Sequence, residues 1–408
     1  YVSPEYRAEQ MNIYNAINDI SGKEFTLTAG TPGITYLLSD TLTWQTNSTW
    51  CNSPYESFYG VTAPLVQDGI PVRTKAMEFV AAPEDLEGVS LLIVSYDNMK
   101  PQSEEVNVAI ADWVKAGGTL LYIGGHDAAE SIGGEWWSDQ GETPLQNLLA
   151  YLGLEVRIGT LDSLTTLSWQ GSGCPSFNDE LLPANMAEYT ATFSGEEFTP
   201  VLTDMYGNCL GFETTIGHGA AVVLGLPSSY FAAEEAGPEN LRELAKYTVN
   251  KHSDTTWVES NLMVSQRGGY LAAQALDYTQ GETLSGYFID LFDDALGIME
   301  QKTLAPGEST LLYDISELLT PGIPRLGFTG GEMVGDVTEE AGLLPFPSAA
   351  RPARYPLPDC SATGGIQNRL RSPAAVSGIP STPPNGTTPP PPCCCRWRIR
   401  PPHRSTSW

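Results

Sequence analysis

No run in this chain approaches the roughly 20 apolar residues that a membrane-spanning helix needs. The most apolar stretch, Gly219 to Leu226 (GAAVVLGL), has the length of a buried strand. A membrane is therefore not expected as a partner. Positive charge is also scarce: 21 lysines and arginines stand against 49 acids, for a formal net charge of -28 and a pI near 4.3. Phosphates would meet a repulsive field, so nucleic acid is not expected as a partner, and a neutral substrate such as a sugar fits better. No basic region followed by an apolar h-region opens the chain, so no targeting signal is visible and a soluble, cytoplasmic setting is favoured. The first residue is Tyr1 rather than Met, which reads as a cut inside a longer chain. Cys51, Cys174 and Cys209 are widely spaced and odd in number, giving neither a disulfide framework nor metal-ligand spacing.

What is there suffices for two or three domains: 408 residues, 41% hydrophobic and 10% aromatic. The composition reverses at Leu343. From there the chain has eight arginines, no lysine and one acid, Asp359, a net of +7 that leaves -35 on residues 1–342. About half of the 31 prolines also lie in this tail, which shows no period of 2 or 3.6 and ends PPPPCCCRWRIRPPHRSTSW. It reads as disordered, and as the product of a frame shift, since out-of-frame GC-rich coding sequence yields Arg, Pro, Ala and Cys without Lys. Three adjacent cysteines, Cys393 to Cys395, cannot all point at one tetrahedral ion.

Residues 4–19 place Tyr6, Met11, Tyr14 and Ile17 at helical spacing behind Ser3 as N-cap and Pro4 in the first turn. This helix and its linker, residues 1–33, read as the remnant of an upstream domain or a brace on the next one. Strands then alternate with helices: strands Ile34–Ser39, Val72–Val80, Val89–Tyr96 and Thr119–Ile123, helices Tyr55–Asp68, Gln102–Ala116 and Leu145–Leu152. Short apolar runs between amphipathic helices and Gly turns argue for a parallel sheet covered on both faces. Residues 155–205 look β-rich. A strand pair around Thr215 to Gly217 and a helix over Pro238–Asn250 close an α/β domain of residues 34–252. The alternating segments Leu262–Gln266, Tyr270–Ala275, Leu284–Leu291 and Ser309–Tyr313 then suggest a small antiparallel β domain over 255–320, followed by the start of a truncated domain, 321–342, and the tail, 343–408.

Several segments occur in a telling order: the strand ending near Asp40 and Trp44, SFYGVTAPLVQDGIPV, the LLIVSY strand, WVKAGGTLLYIGG, GFETTIGHGAAVVLGLP and, behind QRGGYLAAQALDYTQGETLSGYFIDLFDDAL, the piece APGESTLLYD. Over about residues 34–315 this resembles the class I glutamine amidotransferase-like domain, often called the trimerisation domain, of family 42 β-galactosidases, with their small C-terminal β domain. The resemblance implies a flavodoxin-like doubly wound parallel sheet. It also implies an accessory region of a multidomain bacterial glycoside hydrolase that serves oligomerisation or shapes the active-site cleft. The expected partners are then further copies of the chain and the parent enzyme's carbohydrate substrate. The two catalytic acids of such an enzyme lie in a barrel this chain does not include, so the fragment is expected to be inactive alone.

In amidotransferase relatives a cysteine stands on the strained turn after a central strand, beside backbone amides that form an oxyanion hole. The corresponding elbow here, Ile123-Gly124-Gly125-His126-Asp127, has no Cys, Ser or Thr. No catalytic residue, metal site or cofactor is therefore expected. An alternative takes Asp97, Gly124, Gly125, His126 and Asp127, at the carboxyl ends of neighbouring strands, as the ligand pocket of a free-standing hydrolase; its bland counterpart makes them solvated caps, with Asp127 as an N-cap. Trp136 and Trp137, expected in a loop, could stack on a sugar, anchor an interface or lid the core; with the β domain they support a third reading, a carbohydrate-binding module. Asp290, Asp293 and Asp294 read as a solvated turn, without the Asp-x-Asp-x-Asp-Gly pattern of a calcium loop.

Overall fold

The computed structural model describes residues 3–318, except 28, 44–53, 128–129, 131, 162, 172–176, 179, 277–278 and 294–295. The truncated domain start, the tail, Cys51, Cys174 and Asp294 lie outside the described residues.

Helix α1 (Pro4–Asp19) begins as its caps require: the Ser3 Oγ accepts the Tyr6 N–H, and Pro4 occupies the first turn where no donor is needed. Its expected apolar stripe is largely open to solvent, with Tyr6, Tyr14 and Ile17 all more than half exposed. The helix instead packs through Asn12 and Ala16, and the Asn12 amide donates to the Leu291 carbonyl at 2.9 Å. Strand β1 (Phe25–Leu27) follows.

Next come β2 (Ile34–Leu38), α2 (Pro54–Gly60), α3 (Ala63–Gln67), β3 (Val72–Ala76), β4 (Leu91–Val94), α4 (Glu105–Lys115) and β5 (Thr119–Ile123). The single helix expected over Tyr55–Asp68 is thus two. Pro64 has no N–H for the Gly60 carbonyl, and Gly60 lies so close to Ser228 that an added Cβ would stand 2.7 Å from its carbonyl oxygen. The strand expected to run to Val80 stops at Ala76, where Met77–Phe79 turn in a 3-10 helix.

The chain continues through α5 (Trp136–Gln140), α6 (Pro144–Tyr151), β6 (Arg157–Thr160), β7 (Thr165–Trp169), β8 (Leu181–Leu182), α7 (Ala184–Ala187), β9 (Ala191–Ser194), β10 (Thr199–Asp204), β11 (Cys209–Ile216) and β12 (Gly219–Leu224). Helices α8 (Tyr230–Ala233) and α9 (Gly237–His252) follow. These strands form one mixed sheet of 11 strands, in the order β3-β2-β4-β5-β12-β11-β10-β7-β8, with the β6–β9 ribbon joined to β11 through β9. The five strands from β3 to β12 run parallel; from β11 outward the pairing is antiparallel.

The expected parallel sheet is confined to the five strands from β3 to β12; the expected strand pair forms as β11 and β12, and the antiparallel strands beyond it correct the parallel reading. Parallel neighbours need a crossover of a dozen or more residues, whereas β11 and β12 are joined by Gly217 and His218 alone, with Gly217 at φ +60°. Strands β4, β5 and β12 are buried at every residue, as strands covered on both faces must be. Helices α4 and α6 pack together in one group, and α2, α3, α8 and α9 in another.

The second sheet is antiparallel throughout. It comprises β13 (Leu262–Arg267), β14 (Tyr270–Ala275), β15 (Glu282–Asp290), β16 (Ile298–Leu304) and β17 (Ser309–Asp314), ordered β1-β13-β14-β17-β15-β16. Its core is a small cluster that includes Leu262, Val264, Phe288, Leu304 and Leu312. Two of its strands escaped the sequence reading. β1 is three residues long, and β16, an edge strand, buries only Leu304 and so lacks the alternation that would reveal it. The solvated turn expected at Asp290 is also corrected: Asp290 is buried, accepts from Phe292 N and pairs with Lys302 at 2.6 Å.

Candidate functional site

Parallel pairing brings the carboxyl ends of β4, β5 and β12 side by side, the place where open α/β sheets hold ligands. β4 runs out into Ser95-Tyr96-Asp97-Asn98-Met99-Lys100, β5 into Gly124-Gly125-His126-Asp127, and β12 into Gly225-Leu226-Pro227-Ser228. The polar groups of these three exits face one another.

Asp97 stands between them. One carboxylate oxygen accepts the Gly125 N–H at 3.1 Å and the other the Ser228 N–H at 2.6 Å, so a side chain from the β4 exit ties the β5 and β12 exits together. The residue is buried, and burial pushes its carboxyl up to about 6, with the Asp127 charge adding to the shift and the Ser228 N–H and Lys100 opposing it. Asp127 lies beside it with its Oδ2 accepting both Asn98 N, at 2.9 Å, and Lys100 Nζ, at 2.6 Å. The N-cap role expected of Asp127 is therefore replaced by a bond back to the neighbouring strand's exit. Asn98 permits this geometry from a left-handed φ of 58°, which asparagine tolerates better than most side chains, and its amide donates to Ser57 Oγ at 2.8 Å. Lys100 Nζ also donates to the Tyr96 carbonyl at 2.6 Å.

His126 does not join this cluster. Its Nδ1 lies 3.1 Å from Glu130 Oε2 and its Nε2 3.2 Å from the Gly159 carbonyl oxygen, and the Glu130 hydrogen bond raises its pKa. The expected grouping of Asp97, His126 and Asp127 thus divides: the two aspartates meet around Lys100, while the imidazole serves the β6 side.

The elbow itself is closed. Gly124 N donates to the Leu224 carbonyl at 3.1 Å, Gly125 N to Asp97 and His126 N to the Tyr189 carbonyl at 2.7 Å, so three consecutive amides are spent inside the protein. An oxyanion hole requires such donors to be free. Nor is there space for a nucleophile: a Cβ at Gly125 would lie 1.8 Å from the Tyr189 oxygen, and one at Gly124 would lie 2.9 Å from the Tyr122 hydroxyl and 3.0 Å from Asp97 Oδ1. Desolvation raises the pKa of the nearby Tyr122 hydroxyl well above its ordinary value.

Trp136 and Trp137 lie on α5, not in a loop. Their rings meet edge to face at 5.4 Å. The indole N–H of Trp136 donates to the Pro101 carbonyl at 2.9 Å and that of Trp137 to the Glu130 carbonyl at 3.3 Å. Trp137 is buried, which leaves Trp136, half-buried, as the one of the pair with a ring edge to offer.

Sequence reasoning missed Lys100, Asn98, Ser57 and Ser228. A signal existed for the first two: in a body this acidic, the lone lysine of SYDNMKPQS follows a buried strand directly, and asparagine in a tight turn is suited to positive φ. Among the described residues no three His, Cys, Asp or Glu side chains group as a metal would require, and no helix is long and apolar enough to cross a membrane.

No known family's sequence profile matches the chain, and no curated protein matches it by sequence. Among solved structures it is similar to the β-galactosidase of Rahnella sp. R3, with TM-score 0.47 and 14% identity over 74% of this chain and 42% of that one. It is also similar to a catalytic mutant of Gan42B, a GH42 β-galactosidase from G. stearothermophilus, with TM-score 0.43 and 15% identity over 69% and 40%. The β-galactosidase of Bacillus circulans sp. alkalophilus gives TM-score 0.43 and 11% identity over 69% and 41%. The chain thus spans about two fifths of the length of each, and at these scores and identities no activity passes from them to this chain.

Proposed function

We propose that this chain is a non-catalytic accessory region of a multidomain glycoside hydrolase of the β-galactosidase kind, built on a flavodoxin-like, amidotransferase-related domain that serves oligomerisation or shapes the active-site cleft. The observation that bears most weight is the closed elbow. Gly124, Gly125 and His126 give their amides to Leu224, Asp97 and Tyr189, where acyl transfer would need a free pair of donors and a nucleophile. The parallel strand order β3-β2-β4-β5-β12 supports the flavodoxin-like part, because, counted along the parallel strands only, it reads 2-1-3-4-5. The order of sequence motifs supports the glycosidase part.

The full chain is expected to release nothing from aryl β-galactosides and no ammonia from glutamine. Turnover of either substrate that disappears in Asp127→Asn would overturn the non-catalytic reading. The parentage is tested separately by sequencing upstream of the codon for Tyr1. An in-frame (β/α)8 segment is expected there, and its absence removes the glycosidase assignment while leaving the fold untouched.

A further inference from the structure

A cavity of about 440 Å³ opens beside the β6–β9 ribbon, whose Gly159 carbonyl oxygen lies 3.2 Å from His126 Nε2. Across the ribbon Arg157 stands opposite Ser194 and Gly159 opposite Thr192, and side chains directly opposite in a ladder share a face. One wall therefore offers a guanidinium and two hydroxyls. The glycine matters to it, since a Cβ at Gly159 would come within 2.8 Å of the Thr192 hydroxyl. Across the cavity Phe198 supplies an aromatic surface, held in place by stacking on Phe212 at 4.3 Å between centroids.

The charge of this lining departs from that of the whole molecule. The chain has 49 acids, yet the residues around the cavity include Arg157 and no carboxylate. Several other cations are held by acids, Lys100 by Asp127, Lys302 by Asp290 and Arg242 by Asp68. Arg157 is exposed and has no such partner among the described residues. A guanidinium fork matches a carboxylate in a bidentate geometry that neither lysine nor an amide reproduces. The general repulsion of an anion by the acidic body is screened beyond a Debye length of about 8 Å at physiological salt, which leaves the local cation to decide.

We propose that this cleft binds a small monocarboxylate with an apolar ring, its carboxylate gripped by Arg157 with Thr192 and Ser194 alongside, and its ring laid against Phe198. A single cation suits a single negative charge, and the aromatic wall suits a ring better than a flexible chain. The site is independent of the accessory role proposed above and could fail or hold without it.

The test uses the full chain and benzoate as probe, followed by calorimetry or by NMR shifts of Gly159 and Thr192. Saturable binding with a dissociation constant on the order of 1 mM is expected for a ligand of this size. Arg157→Gln, an exposed position whose replacement leaves the fold intact, should weaken it about tenfold, and Arg157→Lys should fall between the two because charge remains without the fork. Benzamide, the neutral counterpart, should bind far more weakly. The proposal is overturned if benzoate fails to saturate at ten times that concentration, if Arg157→Gln binds it as well as the native chain, or if benzamide or galactose binds equally tightly.

Discussion

Lys100 Nζ stands 2.6 Å from Asp127 Oδ2, with 3% of one side chain and 7% of the other exposed, so the β4 and β5 exits are joined by an ion pair withdrawn from water. Together with the bonds of Asp97 to Gly125 and Ser228, this ion pair ties the carboxyl ends of β4, β5 and β12 to one another.

Removing one partner should be costly. Lys100→Met leaves Asp127 buried without its counter-charge, held only by the Asn98 N–H, and should destabilise the protein by about 3–5 kcal/mol in urea unfolding. Lys100→Met combined with Asp127→Asn should recover more than half of that loss. A single variant within about 0.5 kcal/mol of the native protein would show that the pair is not buried in solution.

Asp97 should give the protein a distinctive pH dependence. Its carboxyl is raised from 3.8 to about 6 in the folded state, so the native protein holds this proton after the unfolded chain has released it. Stability from this group is therefore full below about pH 4 and is lost as pH rises to about 6, by about 3 kcal/mol for a shift of this size. Carboxyl ¹³C shifts should place its midpoint near 6, and Asp97→Asn should remove this part of the decline. A midpoint below 4 would contradict the burial that causes the shift.

Gly125→Ala should destabilise the domain by about 2–4 kcal/mol, because the added carbon can be accommodated only by moving the Tyr189 backbone. Gly133→Ala is the matched control: nothing lies within 4 Å of its Cβ position, and a change within about 0.5 kcal/mol is expected. Equal midpoints for the two variants in thermal melts would refute the account of the elbow.

Cys209 should be a poor nucleophile. Burial pushes its thiol up to about 11, with a backbone hydrogen bond from Gly211 opposing only in part. Iodoacetamide should alkylate it about a hundredfold more slowly than a free cysteine at pH 8, as read by peptide mass mapping, with a rate that climbs with pH. Labelling at the rate of the unfolded chain would mean that the thiol is exposed.

Much of the secondary structure was legible because local rules govern it. Thr119–Ile123 is continuous apolar sequence behind Gly117 and Gly118, and it is a buried strand with those bounds. The helix at Glu105–Lys115 keeps its apolar face and ends where those glycines stop it. Trp136 and Trp137 were misplaced in a loop because five helical residues leave no period to read. The break at Pro64 was visible in sequence, but the contact between Gly60 and Ser228 that accompanies it joins residues far apart in the chain.

By itself the sequence determined that the elbow has no nucleophile, that the body is acidic and that parallel strands alternate with helices, because each of these follows from residue identity or short-range periodicity. Only the tertiary structure decided that the elbow amides are consumed, that His126 leaves the aspartates for Glu130, and that β10, β7 and β8 extend the sheet antiparallel beyond β11. Those facts depend on which groups the fold brings within 3 Å of one another across scores of residues, and no local pattern along a chain encodes such a meeting.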